Sequence, residues 1–282
     1  ILRPGTWWET SFFRAPDASS TLYYQDMRTN SFNLKADYTN QLSDAHLTKF
    51  GVRFYYWDMF NNAVNYRYKS NALVATNGSA EYYEGYPINF AVYAQDKMEY
   101  EGMIANIGVR FEMYNFGARV PVDRFNFQYL GTEGPVGGST TTVESETQYI
   151  VLPRLGLSFP IGEATAFRIQ YGHFSSMPTF SQALSNRSWK GWQGMGNPNL
   201  KPRVTVQYEF GLQQVVNEDN RLDVALYYND RVSQIGFQRV AAYTGSTLRS
   251  PVGYDAFNQP LYYYDSYANN IFGSTVGAEI TF

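Results

Sequence analysis

The residue types that most often perform acid–base or nucleophilic chemistry are scarce in this sequence. It contains two histidines, His46 and His173, and no cysteine. Ser175 and Ser176 lie close to His173, and a surface hydrolase would need a serine–histidine pair of this kind. No GxSxG, phosphate-loop or HExxH motif accompanies them. We therefore predict that the chain is not an enzyme and holds neither a cofactor nor a metal ion.

The composition narrows the class of protein further. Aromatic residues make up 18% of the 282 residues, and charged residues only 17%, against about a quarter in a typical soluble domain. The chain has no unbroken apolar run of the roughly 20 residues that a transmembrane helix needs. A net charge of −3 provides no basic surface for nucleic acid. These properties are typical of a transmembrane β-barrel, because its strands place only alternate residues in lipid.

Alternation at every second position predicts the strands themselves. Between Met103 and Met113 every odd position is apolar, whereas Arg110 and Glu112 lie between apolar neighbours. Successive side chains of a strand point to opposite faces, so this segment has one apolar and one polar face. Equivalent patterns predict nine strands: Phe32–Gln41, Thr48–Tyr56, Ile88–Met98, Met103–Met113, Gln148–Phe159, Thr165–His173, Val204–Leu212, Leu222–Tyr228 and Phe272–Phe282. Thr6–Arg14 is a candidate tenth strand, and no segment shows a helical period.

The links between these strands alternate between short and long. Short links are predicted at Ser43–Ala45, Glu99–Gly102, Pro160–Ala164 and Asn217–Asn220. Long links are predicted at Met59–Pro87, Phe116–Thr147, Phe174–Arg203 and Arg231–Ile271. Outer-membrane barrels have short periplasmic turns and long extracellular loops. We therefore expect the short links in the periplasm and the long links outside the cell.

Tyrosines lie near both kinds of link, as expected of aromatic girdles at the two membrane interfaces. Those near short links are Tyr38 and Tyr100, and those near long links are Tyr56, Tyr114, Tyr149 and Tyr228. The bulky ring of tyrosine also favours strands in general, so an ordinary strand preference is the alternative.

Two further sets of residues are candidates for contact with a partner. Charged residues of the polar face either contact a plug or ligand or simply pair with one another: Lys35, Asp37, Arg53, Arg110, Glu112, Arg154, Arg168, Glu209 and Asp223. Aromatic residues of the long links either stack on a ligand or pack between strands that extend past the membrane: Trp189, Trp192, Tyr254, Tyr262 and Tyr263.

The segment GNPNLKPRVTVQYEFGLQQ, from Gly196 to Gln214, carries a specific resemblance. A long link closes with Gly-Asn-Pro-x-Leu-Lys-Pro, and a strand with Tyr-Glu-x-Gly follows. This segment resembles the barrel of TonB-dependent receptors. The segment KADYTNQLSDAHLTKFGVRF, from Lys35 to Phe54, also resembles such barrels, in particular the branch with carboxypeptidase-regulatory-like extensions. The positions that carry the resemblance, to which we assign structural roles, are Gly196, Asn197, Pro198, Leu200, Lys201, Pro202, Tyr208, Glu209 and Gly211.

The resemblance implies an outer-membrane importer with a barrel of about 22 strands and a separate plug domain. Residues 1–282 are then expected to be a barrel fragment without its plug. The implied partners are outer-membrane lipid, the protein's own plug domain, the TonB energy-coupling complex and a small ligand of unknown identity. The expected function is import of a scarce nutrient such as a siderophore, oligosaccharide or peptide. The alternatives are a scaffold subunit of an envelope assembly and a complete, small passive pore of ten strands.

Overall fold

The computed structural model describes residues 21–67, 79–122, 142–185, 196–241, 253–254, 260–261 and 263–282. The candidate strand Thr6–Arg14 lies outside these residues.

Nearly all the described elements are β-strands. In chain order they are β1 (Thr21–Ser43), β2 (His46–Arg67), β3 (Ser79–Gly85), β4 (Ile88–Tyr100), β5 (Met103–Asn115), β6 (Arg119–Pro121), β7 (Thr142–Glu144), β8 (Gln148–Ile161), β9 (Thr165–Ser176), β10 (Arg203–Val215), β11 (Arg221–Ala241), β12 (Gly253–Tyr254), β13 (Pro260–Leu261) and β14 (Tyr263–Thr281). One short helix, α1 (Phe180–Leu184), lies between β9 and β10.

Ten strands form one antiparallel sheet. Nine of them are neighbours in chain order, β1-β2-β4-β5-β8-β9-β10-β11-β14, and β3 pairs with the far end of β2. β6–β7 and β12–β13 form two small separate pairs. The nine predicted strands are thus confirmed, and each pairs with the next along the chain. Within the described part of the chain, β1 and β14 are the two edges of this sheet.

The four predicted short links lie at one end of the sheet. Tyr100 pairs with Met103 across one of them, and Gly102 has a φ of 79°. Gly162, in another of these turns, has a φ of 71°. Glycine takes these left-handed angles because it has no Cβ to clash with the neighbouring carbonyl oxygen. We call this end of the sheet the turn end, and the opposite end, where the long links lie, the loop end.

Several strands are longer than the alternation predicts. β1 has 23 residues and β2 has 22, so β2 continues to Arg67 and, with β3, occupies much of the predicted link Met59–Pro87. Similarly, β11 reaches Ala241 and β14 begins at Tyr263, both inside the predicted link Arg231–Ile271. The prediction of the link bounds was wrong because main-chain hydrogen bonds can extend a ladder without any contrast between its two faces.

One face of the sheet is apolar and open. Its side chains follow one another from strand to strand in register, as in the row Val52, Val92, Phe111 and Val151. Many of them are exposed, including Val92 at 38% and Val151 at 58%. Others on this face are Phe32, Leu34, Phe50, Ile107, Ile169, Phe210, Leu226, Val276 and Ile280. A soluble domain rarely exposes so large a continuous apolar surface, so this face requires an apolar environment.

The opposite face is polar. The register places all nine predicted charged residues on this face, because each occupies a row that alternates with the apolar rows. Lys35, for example, is the direct register partner of Arg53, and the Lys35 Nζ and Asp37 Oδ2 atoms lie 2.7 Å apart.

A small core closes the loop end on the polar side. It consists of Met59, Tyr114, Phe116, Ala118, Ala183 and Leu184. Tyr114 is only 2% exposed, so the prediction that it belongs to an interfacial girdle was wrong. The reason is its position on β5, on the same side as Arg110 and Glu112. The other five tyrosines of the predicted girdles are exposed: Tyr38, Tyr56, Tyr100, Tyr149 and Tyr228.

Helix α1 supplies two residues of this core, and its five residues are too few to produce a helical period in the sequence. Thr179 is its N-cap, and its hydroxyl accepts a hydrogen bond from the main-chain N–H of Gln182. The Gln182 side chain accepts one from the Thr179 N–H in return. This reciprocal pair is a capping box, and Thr-x-x-Gln is its sequence signature.

Candidate functional site

The middle of the polar face forms a groove of about 730 Å³. Six strands, from β2 to β10, contribute its side chains. The polar and aromatic residues that line it include Lys49, Arg53, Tyr93, Gln95, Asn106, Arg110, Glu112, Arg154, Gln170, Phe174 and Gln207. The groove therefore combines most of the predicted charged residues of β2, β5 and β8 in one surface.

Among the described residues that line this groove, Glu112 is the only carboxylate. Arg110 Nε lies 2.6 Å from Glu112 Oε1, and Arg53 Nη2 lies 3.9 Å from the same oxygen. Ser175 Oγ donates to the other oxygen, Oε2, at 2.5 Å. The Glu112 and Arg110 side chains are only 13% and 17% exposed. A carboxylate with this many donors is held in one orientation, since each charge-assisted hydrogen bond fixes it further.

The described lining of the groove contains four cationic side chains and one carboxylate. Lys49 and Arg154 form no ion pair within the described residues. The Arg154 guanidinium instead lies 4.6 Å from the centre of the Phe174 ring, and that of Arg53 lies 5.2 Å from the Tyr55 ring. A concave surface in which one sign of charge predominates focuses the potential of that sign, so the described lining of this groove is electropositive.

Aromatic side chains connect the groove with the core at the loop end. Tyr55 and Trp57 stack with their ring centres 5.3 Å apart and their planes 8° apart. Trp57 meets Phe180 of α1 edge-on, also at 5.3 Å. Side chains at alternate positions of β2 thus run continuously from the cationic groove to the helix.

The segment Gly196–Pro202 joins several separate elements at the loop end. The Gly196 N–H donates to the Ser185 carbonyl at 2.5 Å. A Cβ at Gly196 would lie 2.6 Å from the carbonyl oxygens of both Ala183 and Ser185. Only glycine permits this close approach of two main chains.

The polar residues of this segment bind strands on both sides of it. Asn197 Nδ2 donates to the Tyr267 carbonyl of β14 at 3.0 Å. Asn269, also on β14, accepts from the Lys201 N–H at 2.8 Å and donates to the Lys201 carbonyl at 3.0 Å. Asn199 Oδ1 accepts from the Glu146 N–H at 2.8 Å.

The apolar residues of the segment are buried. Leu200 is 1% exposed, and Pro198 and Pro202 are buried as well. The Tyr114 hydroxyl donates to the Leu200 carbonyl at 2.5 Å. These contacts give the positions that carry the family resemblance a physical account, since they attach the last long link before β10 to β5, α1 and β14.

Three further positions of the resemblance lie on β10. Tyr208 is exposed on the apolar face, where its ring centre lies 5.2 Å from that of Tyr171. Glu209 accepts a hydrogen bond from the Gln207 amide at 3.3 Å. Gly211 leaves room for Arg168, whose Nε would lie 3.2 Å from a Cβ at this position.

The loop aromatics predicted as ligand contacts are only partly described. Trp189, Trp192 and Tyr262 lie outside the described residues. The main chain of Tyr254 pairs with Pro260 in the β12–β13 ladder, and that of Tyr263 pairs with Ala241. Their role in ligand contact stays a prediction.

The residues first considered for acid–base chemistry have other partners. His46 Nδ1 lies 2.7 Å from Asp96 Oδ2, and its Nε2 lies 3.0 Å from the Tyr100 hydroxyl. His173 Nε2 contacts the Tyr171 hydroxyl at 2.6 Å, while Ser175 binds Glu112. The two histidines are at opposite ends of the sheet, as the topology predicts. Sequence reasoning did not find the interaction of Ser175, because it joins strands that are not neighbours.

Among the described residues, no group of three or more His, Asp or Glu side chains could hold a metal ion. No helix in the described ranges is long and apolar enough to cross a membrane.

An antiparallel meander with one open apolar face and one charged face is the wall of a transmembrane β-barrel. The family model "TonB dependent receptor-like, beta-barrel" matches residues 4–280. This match covers nearly the whole chain, which therefore belongs to the TonB-dependent receptor β-barrel family. The members of this family are outer-membrane receptors for transport rather than enzymes.

Several solved structures are similar to this chain. The copper transporter OprC has a TM-score of 0.53 and 17% identity, over 93% of this chain and 36% of that one. The hemophore receptor HasR of Serratia marcescens, in a double mutant solved with its hemophore HasA and heme, has a TM-score of 0.47 and 15% identity, over 93% of this chain and 51% of that one. The ferric-catecholate import receptor Fiu of E. coli K12 has a TM-score of 0.47 and 16% identity, over 93% of this chain and 35% of that one. This chain thus spans about a third to a half of their lengths. No curated protein sequence matches it.

Proposed function

We propose that this chain forms part of the wall of an energised importer in a bacterial outer membrane, which takes up a scarce nutrient from outside the cell. The family match over residues 4–280 carries this proposal. The whole protein has a plug domain in the lumen and uses energy from an inner-membrane TonB complex. The cargo is a small ligand such as a siderophore, an oligosaccharide or a peptide.

The two faces of the sheet support this arrangement. The apolar face contacts lipid, because a charged side chain near the bilayer midplane costs about 2–4 kcal/mol and the predicted charges all lie on the other face. The ion pair His46–Asp96 on the apolar face is at the turn end, where the side chains reach the periplasmic interface. The pair Asp26–Arg28 on the same face is in the loop-end half of β1, also away from the middle of the sheet. The polar face lines the lumen.

The cationic groove gives this part of the lumen a preference for anionic groups. With four cations and the single carboxylate of Glu112 in its lining, it favours anionic groups, either on a passing solute or on the surface of the plug. Lys49 and Arg154 contribute most to this preference, because no carboxylate pairs with them in the described part of the chain.

A growth experiment tests the function. The gene for the full-length protein is deleted, and the strain is grown under limitation for iron, copper, complex glycans or peptides. The intact gene should restore growth under one limitation, and only in cells with a working TonB complex. Restoration in cells that lack this complex would instead indicate a passive pore. Loss of an envelope assembly without any growth defect would indicate a scaffold.

The contribution of the groove is tested in the same strain. Arg154→Gln and Lys49→Gln, alone and together, should lower uptake of an anionic cargo or loosen the plug against extraction by urea. Lys97→Gln is the matched control, because Lys97 is paired with Glu99 at the turn end of the polar face. Equal effects of the control and the groove variants would contradict the role of the groove.

A further inference from the structure

A tyrosine on the polar face bridges three successive strands by lying across a glycine. Tyr93 on β4, Gly51 on β2 and Asp37 on β1 are direct partners in one register row. The Tyr93 hydroxyl donates to Asp37 Oδ1 at 2.8 Å. A Cβ at Gly51 would lie 2.6 Å from that carboxylate oxygen and 2.6 Å from Tyr93 Cζ. Because Gly51 has no side chain, Tyr93 can lie across β2 and reach Asp37 two strands away.

A similar arrangement with an arginine occurs on the same polar face, nearer to β14. Arg168 on β9 lies across its register partner Gly211 on β10. Its Nη2 atom reaches Asp223 Oδ1 on β11 at 2.6 Å, two residues from Ala225, the direct register partner of Gly211. In both cases a glycine on the middle strand separates a long donor side chain from a carboxylate on the third strand.

A third glycine is crossed at the edge of the sheet. Tyr227 on β11 and Gly277 on β14 are direct register partners. A Cβ at Gly277 would lie 2.8 Å from Tyr227 Cε1, and the Cζ and hydroxyl oxygen of Tyr227 would be closer still. The Tyr227 side chain therefore extends over β14 towards the edge of that strand that has no partner among the described strands, as Tyr93 extends over β2.

The directions of the strands restrict what can pair with this edge. β1 and β14 both run from the loop end to the turn end, because seven strands of alternating direction separate them. Direct pairing of the two edges would thus be parallel. Bacterial transmembrane barrels are antiparallel with an even number of strands, so β14 requires a neighbour that runs from the turn end to the loop end.

We propose that the free edge of β14 pairs with an antiparallel strand of the same polypeptide. Directly opposite Gly277, this strand presents an Asp, Glu, Asn or Gln side chain, which accepts a hydrogen bond from the Tyr227 hydroxyl. The acceptor follows from the row Tyr93–Gly51–Asp37, which has the same order of donor, glycine and acceptor. The same polypeptide supplies the strand because every strand of the main sheet path pairs with its successor along the chain. The single chain of OprC is also nearly three times as long as the part that this chain matches.

Photo-cross-linking in the full-length protein identifies the neighbour. A benzophenone amino acid replaces Thr275, which lies on β14 two residues before Gly277, and the cross-linked peptide is identified by mass spectrometry. We expect a peptide from the same molecule, either Thr6–Arg14, which would make ten strands, or a segment outside residues 1–282, which would make a larger barrel. A cross-link between two copies, or to β1, would overturn the proposal.

A double-mutant cycle then tests the hydrogen bond. Tyr227→Phe should shift the unfolding equilibrium by about 2- to 10-fold, and alanine at the acceptor should remove the effect of Tyr227→Phe. Tyr228→Phe is the control, because Tyr228 lies on the apolar face against Tyr208 and its effect should not depend on the acceptor. An apolar residue opposite Gly277, or strictly additive effects, would refute the proposal. Neither readout depends on import, so failure of the proposed function would leave this test intact.

Discussion

Replacing Tyr114 by phenylalanine should weaken the loop end of the barrel wall more than any other Tyr-to-Phe change on β5 or β8. The substitution removes one oxygen and leaves the ring against Phe116, whose centre is 5.5 Å away. It also removes the 2.5 Å hydrogen bond to the Leu200 carbonyl, in a place where Tyr114 and Leu200 are 2% and 1% exposed. An acceptor left unsatisfied at such a depth costs about 1–3 kcal/mol, a change of about 5- to 150-fold in the unfolding equilibrium.

Guanidinium unfolding of the full-length protein in detergent micelles measures this cost. Tyr149→Phe is the matched control, because Tyr149 lies on the adjacent strand β8, is 64% exposed and keeps its stacking on Phe111 as phenylalanine. The control should stay within about 0.5 kcal/mol of the parent. Equal losses for the two variants would mean that the bond to Leu200 contributes nothing, and that the segment Gly196–Pro202 is held by its other contacts alone.

Three further predictions use the same unfolding assay. Gly51→Ala should lower the free energy of unfolding by about 1–3 kcal/mol, because the new methyl group would overlap the Tyr93 side chain. Gly273→Ala should be neutral, because a Cβ there meets nothing within 4 Å. Equal losses for the two variants would contradict the position of Tyr93 across Gly51. Glu112→Gln should cost about 1.5–3 kcal/mol, because it weakens hydrogen bonds to charged donors, while Glu99→Gln at the turn end should change little; a silent Glu112→Gln would show that the groove cations need no carboxylate. Leu200→Ala should cost about 2–5 kcal/mol, and a loss below 1 kcal/mol would mean that its site collapses on truncation.

The strands and their order could be predicted because half of each strand faces a different medium from the other half. Met103–Met113 is apolar at every odd position and, from Asn106 onwards, has no large apolar residue at an even position, and its strand was found with nearly correct bounds. β1 and β2 were underestimated for the complementary reason. Their loop-end halves contain residues such as Asn61 and Asn62 that show no contrast between faces, so only the ladder to the next strand identifies them.

The contacts of the candidate site were less accessible to sequence reasoning. The side of Tyr114 could have been inferred, because it shares its parity with Arg110 and Glu112 and is thus on the polar face. Its bond to Leu200 could not, since 86 residues separate the two. The roles of Gly51 and Gly211 could not be predicted from the sequence either, because the side chains that cross them are determined by the register of three strands.

The length of β1 bears on how the cell surface is recognised. Its 23 residues extend about 75 Å along the strand at about 3.3 Å per residue, whereas about 9–11 residues suffice to cross a bilayer at a tilt. In an outer membrane, more than half of the β1–β2 hairpin therefore projects into the medium as a rigid, hydrogen-bonded ribbon. We therefore expect this ribbon to be accessible to antibodies and bacteriophages at the cell surface.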